Sequence, residues 1–161
     1  MNLKIKGKVA LVTASSKGIG KSVAELLVKE GCKVVISSSS EANVIDAAKE
    51  IKENTGIEPL WGVCDLNNPD DITEIVRMAK SQYGGVDILV NNCGGPIPGT
   101  FDSLDDRDWQ NAMDQVLMSV VRMTREVLPN MKNKKWGRII NITSKSVKQP
   151  IDNLMLSNSL R

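Results

Sequence analysis

Short apolar runs alternate along this chain with longer stretches in which apolar residues recur every three or four positions. The runs at 9–14, 33–37, 60–64, 86–91 and 138–142 are each bounded by Gly, Pro or polar turn residues. Such brief runs suit strands buried on both faces. Between them, Ile19, Val23, Leu26 and Leu27 form one helical stripe ended by Gly31. Val44, Ala47, Ala48 and Ile51 form a second, ended near Gly56, and Ile72, Ile75, Val76 and Ala79 a third before Gly84 and Gly85. Glycine just past a stripe is a helix stop. The longest helix is predicted over 105–131, with Ala112, Val116, Val120, Met123 and Val127 on one side and enough further apolar positions for a second face. Strand and helix in alternation predict an α/β fold, a parallel sheet wound with helices on both sides.

The turn after the first strand carries the clearest chemistry. VALVTASSKGIG, residues 9–20, leads an apolar run through a Ser- and Gly-rich turn directly into KSVAELLVKEG. Small residues let backbone N–H groups approach a pyrophosphate, and the helix that follows presents its positive end to that charge. Thr13, Ser15, Ser16, Gly18 and Gly20 supply these conditions, and a strand, loop and helix without a ligand is the plain alternative.

Composition narrows the classes. A chain of 161 residues buries a sizeable core as one domain, 1–161, and its net charge of +2, spread over 21 scattered basic residues, argues for neither nucleic acid nor an anionic membrane as partner. Cys32, Cys64 and Cys93 lack CxxC spacing, so free thiols in a reducing cytoplasm are expected rather than disulfides or a metal site. No apolar run approaches the ~18 residues of a membrane span, and the opening MNLKIKGKVALV does not read as a signal peptide. Without a single histidine, Ser-His-Asp hydrolysis and histidine-ligated metals are excluded.

Taken together, these motifs resemble the short-chain dehydrogenase/reductase family, in its 3-oxoacyl-acyl-carrier-protein reductase-like members. The family's TGxxxGxG is matched by Thr13-Ala14-Ser15-Ser16-Lys17-Gly18-Ile19-Gly20, with Ala14 in place of the first glycine. Asp65-Leu66 matches the acid after strand three, Asn91-Asn92-Cys93-Gly94 the NNAG motif, and GRIINITS at 137–144 the end of strand five. The resemblance implies a doubly wound, Rossmann-like sheet in the order 3-2-1-4-5, ending before strands six and seven. It also implies a nicotinamide cofactor, with Asp65 on the adenine and the Leu66 backbone beside it. Asn91, Cys93 and Gly94 would lie at the carboxyl end of strand four, where such sheets bind ligands, although Asn91 also suits a tie between strands.

Where an NAD-selective protein would place an acid after strand two, this chain has Ser37, Ser38, Ser39 and Ser40 before Glu41. Hydroxyls, with Lys17 in the turn, suit a 2′-phosphate and favour NADP(H) over NAD(H). Lys17 as a solvated loop residue and Ser38 or Ser40 as a helix cap are the alternatives.

The resemblance makes Ser144 the catalytic serine. It then places Ser157 where the family has tyrosine, Arg161 where it has lysine and Val116 where it has asparagine. An aliphatic hydroxyl has no anionic form near neutrality, and a guanidinium stays protonated. A replacement acid among nearby lysines points to Lys145 or Lys148, against their plain reading as exposed loop residues. Two functions remain open: a reductase acting on a small carbonyl or alcohol with an altered acid, or a dinucleotide-binding domain without turnover, either a natural short product or part of a longer chain. The two-faced helix predicts a homodimer or homotetramer.

Overall fold

The computed structural model describes residues 3–161; Met1 and Asn2, with which the opening segment begins, lie outside it. Five parallel strands, β1 (Val9–Val12), β2 (Lys33–Ser38), β3 (Leu60–Val63), β4 (Ile88–Asn91) and β5 (Arg138–Asn141), form one sheet in the order β3-β2-β1-β4-β5. Every pairing is parallel, with Leu11 opposite both Val35 and Leu89. Parallel neighbours need crossovers, and helices supply them.

Alternate residues of the central strands feed two cores. Ala10, Val12, Val34, Ile36, Ile88 and Val90 pack against α1 (Gly18–Lys29) and α2 (Glu41–Thr55). Leu11, Val35 and Leu89 face the other way, onto α3 (Pro69–Tyr83) and Met123, Val127 and Met131 of a later helix. This two-sided burial is why β1, and β4 up to Asn91, are continuously apolar instead of alternating. The stripes predicted for α2 and α3 are the buried ones. Ile51 is wholly buried, so Ile51→Ala would cost roughly 2–5 kcal/mol.

The stripe predicted for α1 needs correction. Gly20, Ala24 and Val28 are its buried residues, Val23 and Leu27 pack at the margin, and Ile19 and Leu26 are more than half exposed. Small residues face the sheet because the helix starts against it: a Cβ at Gly20 would lie 2.7 Å from both the Ala14 carbonyl oxygen and Asn92 Nδ2. Ile19 turns instead toward the cleft described below.

The long helix is also more divided than its periodicity predicts. It comprises α4 (Asp106–Ala112), a π-helical turn (Met113–Met118) and α5 (Ser119–Asn133). A capping box between Asp105 and Asp108 starts it. Its buried side carries Ala112, Val116, Met123 and Val127, while Met113, Leu117 and Val121 remain exposed on the second apolar face. Strand β5 is an edge with every residue exposed. After it come a 3-10 turn (Lys145–Val147) and α6 (Met155–Leu160), and the loop ahead of α6 bridges to Gly99 through the Gly99 N–H and Asn153 carbonyl at 2.8 Å. Among the described residues no helix is long and apolar enough to cross a membrane.

Candidate functional site

At the carboxyl ends of the strands lies an open cleft of ≈ 620 Å³. Ser16, Lys17 and Ile19 line it from the β1 turn, Ser38 and Ser39 from β2, Asp65 and Leu66 from β3, and Cys93 and Gly94 from β4. Most predicted cofactor residues therefore converge, because a parallel sheet delivers every strand's C-terminal turn to one edge.

The start of α1 differs from those of α2 and α3. Helices α2 and α3 are capped by Ser40 and Asn68 and carry acids in their first turns, whereas α1 has neither a side-chain cap nor an acid there. Its free N–H groups and positive dipole end remain available at the cleft. Gly18 has φ +56° with open space beside it, and Gly20 admits no side chain.

Other predicted residues hold the frame. Thr13 is buried, donating from Oγ1 to the Asn92 carbonyl at 2.6 Å and accepting from the Asn92 N–H at 2.8 Å, which ties β1 to β4. Ser15 is wholly buried, donates to the Val12 carbonyl at 2.7 Å and accepts from the Ser37 N–H at 3.1 Å. Ser37 is also wholly buried, its hydroxyl without a partner among the described residues. Neither of these two lines the cleft. Ser38 accepts from Ser16 Oγ at 3.1 Å and from the Ser40 N–H at 3.2 Å, and Ser40 caps α2. The exposed Asp65 carboxylate accepts from the Asn67 N–H at 2.9 Å, and the Asp65 N–H donates to Asp71. Asn91 is buried and donates to Asn141 Oδ1 at 2.9 Å, so it does tie β4 to β5.

Deeper in, a largely apolar cavity of ≈ 160 Å³ lies between β4, β5 and the π-turn. Leu66, Val116, Val120, Ile142 and Leu160 supply its walls and Arg161 one polar side. Arg161 donates to the Gly94 carbonyl at 2.9 Å and lies 3.9 Å from Cys93 Sγ, while its buried Nε–H has no partner among the described residues. Burial pushes the Cys93 thiol pKa up, opposed by the Arg161 charge, and burial pushes that of Cys64 up to about 12.

Ser144 and Ser157 meet through a residue that motif reading missed. Ser144 Oγ accepts from the Ser146 N–H at 3.2 Å, and Ser146 Oγ lies 3.3 Å from Ser157 Oγ. Ser157 is buried, and neither Ser144 nor Ser157 lines the cleft or the cavity. Lys145 and Lys148 are exposed and line neither. Sequence reading matched Asn92 to the NNAG motif but gave no role to it; its Nδ2 donates to the Thr13 and Ala14 carbonyls, and Gln115, a half-buried lining residue of the cleft, was missed altogether. The doubled Asn at 91 and 92 was a legible signal for the first; no sequence signal marked the second.

A parallel sheet in this order, with a glycine turn feeding an uncapped helix, defines a dinucleotide-binding α/β domain. The short chain dehydrogenase family model matches residues 8–156, and the chain belongs to that family. It is 37% identical over 142 residues to the 3-oxoacyl-acyl-carrier-protein reductase FabG of Vibrio cholerae, covering 88% of this chain and 57% of that protein. Among solved structures it is similar to the L-sorbose reductase of Gluconobacter frateurii complexed with NADPH and L-sorbose. That match has a TM-score of 0.95 and 34% identity, over 99% of this chain and 61% of the other. It is also similar to a 7α-hydroxysteroid dehydrogenase complexed with NADH and 7-oxo glycochenodeoxycholic acid, with a TM-score of 0.91 and 30% identity over 98% and 61% of the two chains. The chain thus spans about three fifths of the length of these relatives.

Proposed function

We propose that this domain binds NADP(H) in preference to NAD(H) and is the cofactor-binding part of an oxidoreductase acting on a small carbonyl or secondary alcohol. The uncapped, acid-free start of α1 beside Gly20 carries this reading, since it leaves backbone donors and no competing side chain where a pyrophosphate would sit. Lys17, Ser38 and Ser39 at one end of the cleft suit a 2′-phosphate, and Asp65 suits an adenine amino group. The NADPH in the sorbose reductase structure supports the preference, while the NADH in the hydroxysteroid dehydrogenase structure leaves NAD(H) as the competitor. A reducing cytoplasmic setting accords with three unpaired thiols.

A bound nicotinamide supplies the hydride. Ser144 is the residue proposed to hold the substrate oxygen, and Arg161 the one to hold ribose hydroxyls near Gly94. Ser157 occupies the family's acid position without a titratable group, and its hydroxyl is engaged with Ser146. That contact favours the second reading, a cofactor-binding domain with slow or no turnover, because a missing general acid costs about 10²–10⁴ in rate.

Titration with NADPH and NADH tests the cofactor assignment: NADPH should bind more tightly, with the gap narrowing in Lys17→Ala. Equal affinities in the unaltered chain remove the preference. Ketone-dependent NADPH oxidation separates the two functions. Turnover should be slow or absent; Ser157→Tyr with Arg161→Lys should raise it in a chain extended by a natural C-terminal part, if one exists, and do little in these 161 residues alone, which lack segments to close over the substrate. Robust turnover that survives Ser144→Ala sinks this assignment of the chemistry.

A further inference from the structure

We infer that the amino edge of the sheet binds the phosphate backbone of a single-stranded nucleic acid, at the opposite ends of the strands from the cofactor cleft. Basic residues scattered along the chain meet there. Lys33, Lys8, Lys134 and Arg138 stand in turn at the amino ends of β2, β1, β4 and β5. The Lys33 N–H donates to the Lys8 carbonyl at 2.9 Å, and the Arg138 N–H donates to the Asp87 carbonyl at 3.0 Å. Lys134 joins the row because its Nζ donates to Asp87 Oδ1 at 2.8 Å. Three strand spacings of roughly 4.8 Å make the row about 14 Å long. At its β5 end, Lys132, Lys135, Trp136 and Arg138 line an open groove of ≈ 510 Å³.

These cations are held in place by rings and not by acids. Lys8 Nζ lies 4.2 Å and Arg138 Cζ 4.9 Å from the centre of the Trp136 ring, and Lys33 Nζ lies 5.5 Å from that of Tyr83. None of the three is in an ion pair among the described residues. Side chains already ordered on aromatic faces lose less freedom when a phosphate arrives. Lys29, Lys80 and Lys132 in the last turns of α1, α3 and α5 complement helix ends, but Lys8, Lys33 and Arg138 sit on or beside strands and serve no helix. A point anion needs one or two cations, whereas a row matches charges repeated along a strand. No helix or ribbon projects from this edge to enter a duplex groove. An unpaired strand, held through its phosphates without regard to sequence, fits the row. A line of charge beside a groove also suits a strand better than the plane of an anionic membrane.

Fluorescence anisotropy of labelled oligouridylate and oligothymidylate with the full chain tests this. Binding of either, with Kd of roughly 10⁻⁴–10⁻⁶ M, supports the site, and the tighter of the two names the source as RNA or DNA. Affinity should fall with salt at a log–log slope of about −3, as four cations on a single strand give. Lys33→Ala with Arg138→Ala, both exposed, should weaken binding roughly ten-fold and flatten that slope by about 1.4. Lys49→Ala with Lys52→Ala removes the same charge from α2 and should change binding less than about two-fold. Should the first pair fail to fold, each single variant gives the same reading at about half the change in slope. Saturating NADPH should leave binding as it was. No binding at low salt, equal losses in the two pairs, displacement by NADPH, or binding to phosphatidylserine vesicles without binding to either strand overturns the inference.

Discussion

Asn92 Nδ2 donates to the Ala14 carbonyl at 3.0 Å, and Ala14 stands in the left-handed backbone region with φ +45°. The residue that stands where the family motif has its first glycine thus adopts a backbone conformation that favours glycine, held in place by the amide across the sheet. Left-handed backbone costs a non-glycine residue roughly 1–2 kcal/mol, and glycine's extra freedom when unfolded offsets about 0.4–1 kcal/mol of any relief. Ala14→Gly should therefore raise the urea midpoint slightly, and Ala14→Val, β-branched, should lower it clearly. A lower midpoint for Ala14→Gly contradicts this account.

Asp87 links the amino ends of β1 and β4 to the segment before β5. It accepts from the Val9 N–H at 3.0 Å and from Lys134 Nζ at 2.8 Å. Burial pushes its carboxyl upward, but the Lys134 bond, the Val9 N–H and nearby charge outweigh this and leave it below the usual 3.8. A carboxyl with a depressed folded pKa stabilises fully above its unfolded pKa and ceases to do so as the pH falls through the folded value. Stability measured by urea unfolding should hold above about pH 5 and fall below about pH 4. Asp87→Asn should be less stable at neutral pH and flatter across that acidic window. Lys134 is well exposed, so Lys134→Ala should cost only about 1 kcal/mol or less.

Cys93 is the one half-buried thiol, while Cys32 and Cys64 are buried. At pH 8 a small alkylating reagent should label Cys93 first, faster at higher pH because its thiol is pushed up, and bound NADPH should slow the reaction. Mass spectrometry of the labelled peptides reads this directly. Earlier labelling of Cys64, or no protection by cofactor, counts against the placement of the cleft.

Met113, Leu117 and Val121 form an exposed apolar row on the long helix, the surface proposed for self-association. Light scattering at micromolar concentration should show a dimer or tetramer, dissociated by Val121→Arg. A clean monomer in the unaltered chain refutes it.

The fold was legible because its signals are local. Runs buried on both faces, periodic stripes closed by glycine, and a glycine turn between strand and helix each lie within a few residues, and right-handed crossovers leave few ways to arrange them. That most of the proposed cofactor residues would converge on one cleft was legible for the same reason, since parallel strands bring all their C-terminal turns to one edge. The sequence could not say which serines face a ligand: Ser15, Ser16, Ser37 and Ser38 look alike, yet two are buried behind the turn and two line the cleft.

What the sequence determined by itself is the order of elements, the sheet, and the turn at Gly18 and Gly20. Only the tertiary structure decided the rest, because it depends on residues far apart in the chain meeting. Helix α1 buries its small residues and not Ile19 or Leu26, since Gly20 must approach Ala14 and Asn92. The π-turn that presents Gln115 is invisible to periodicity, which continues through it. Basic residues scattered in sequence also gather at the amino edge of the sheet, where Lys8 and Arg138 flank the Trp136 ring and Lys33 lies over Tyr83. Parallel strands start side by side, so charges a hundred residues apart become neighbours.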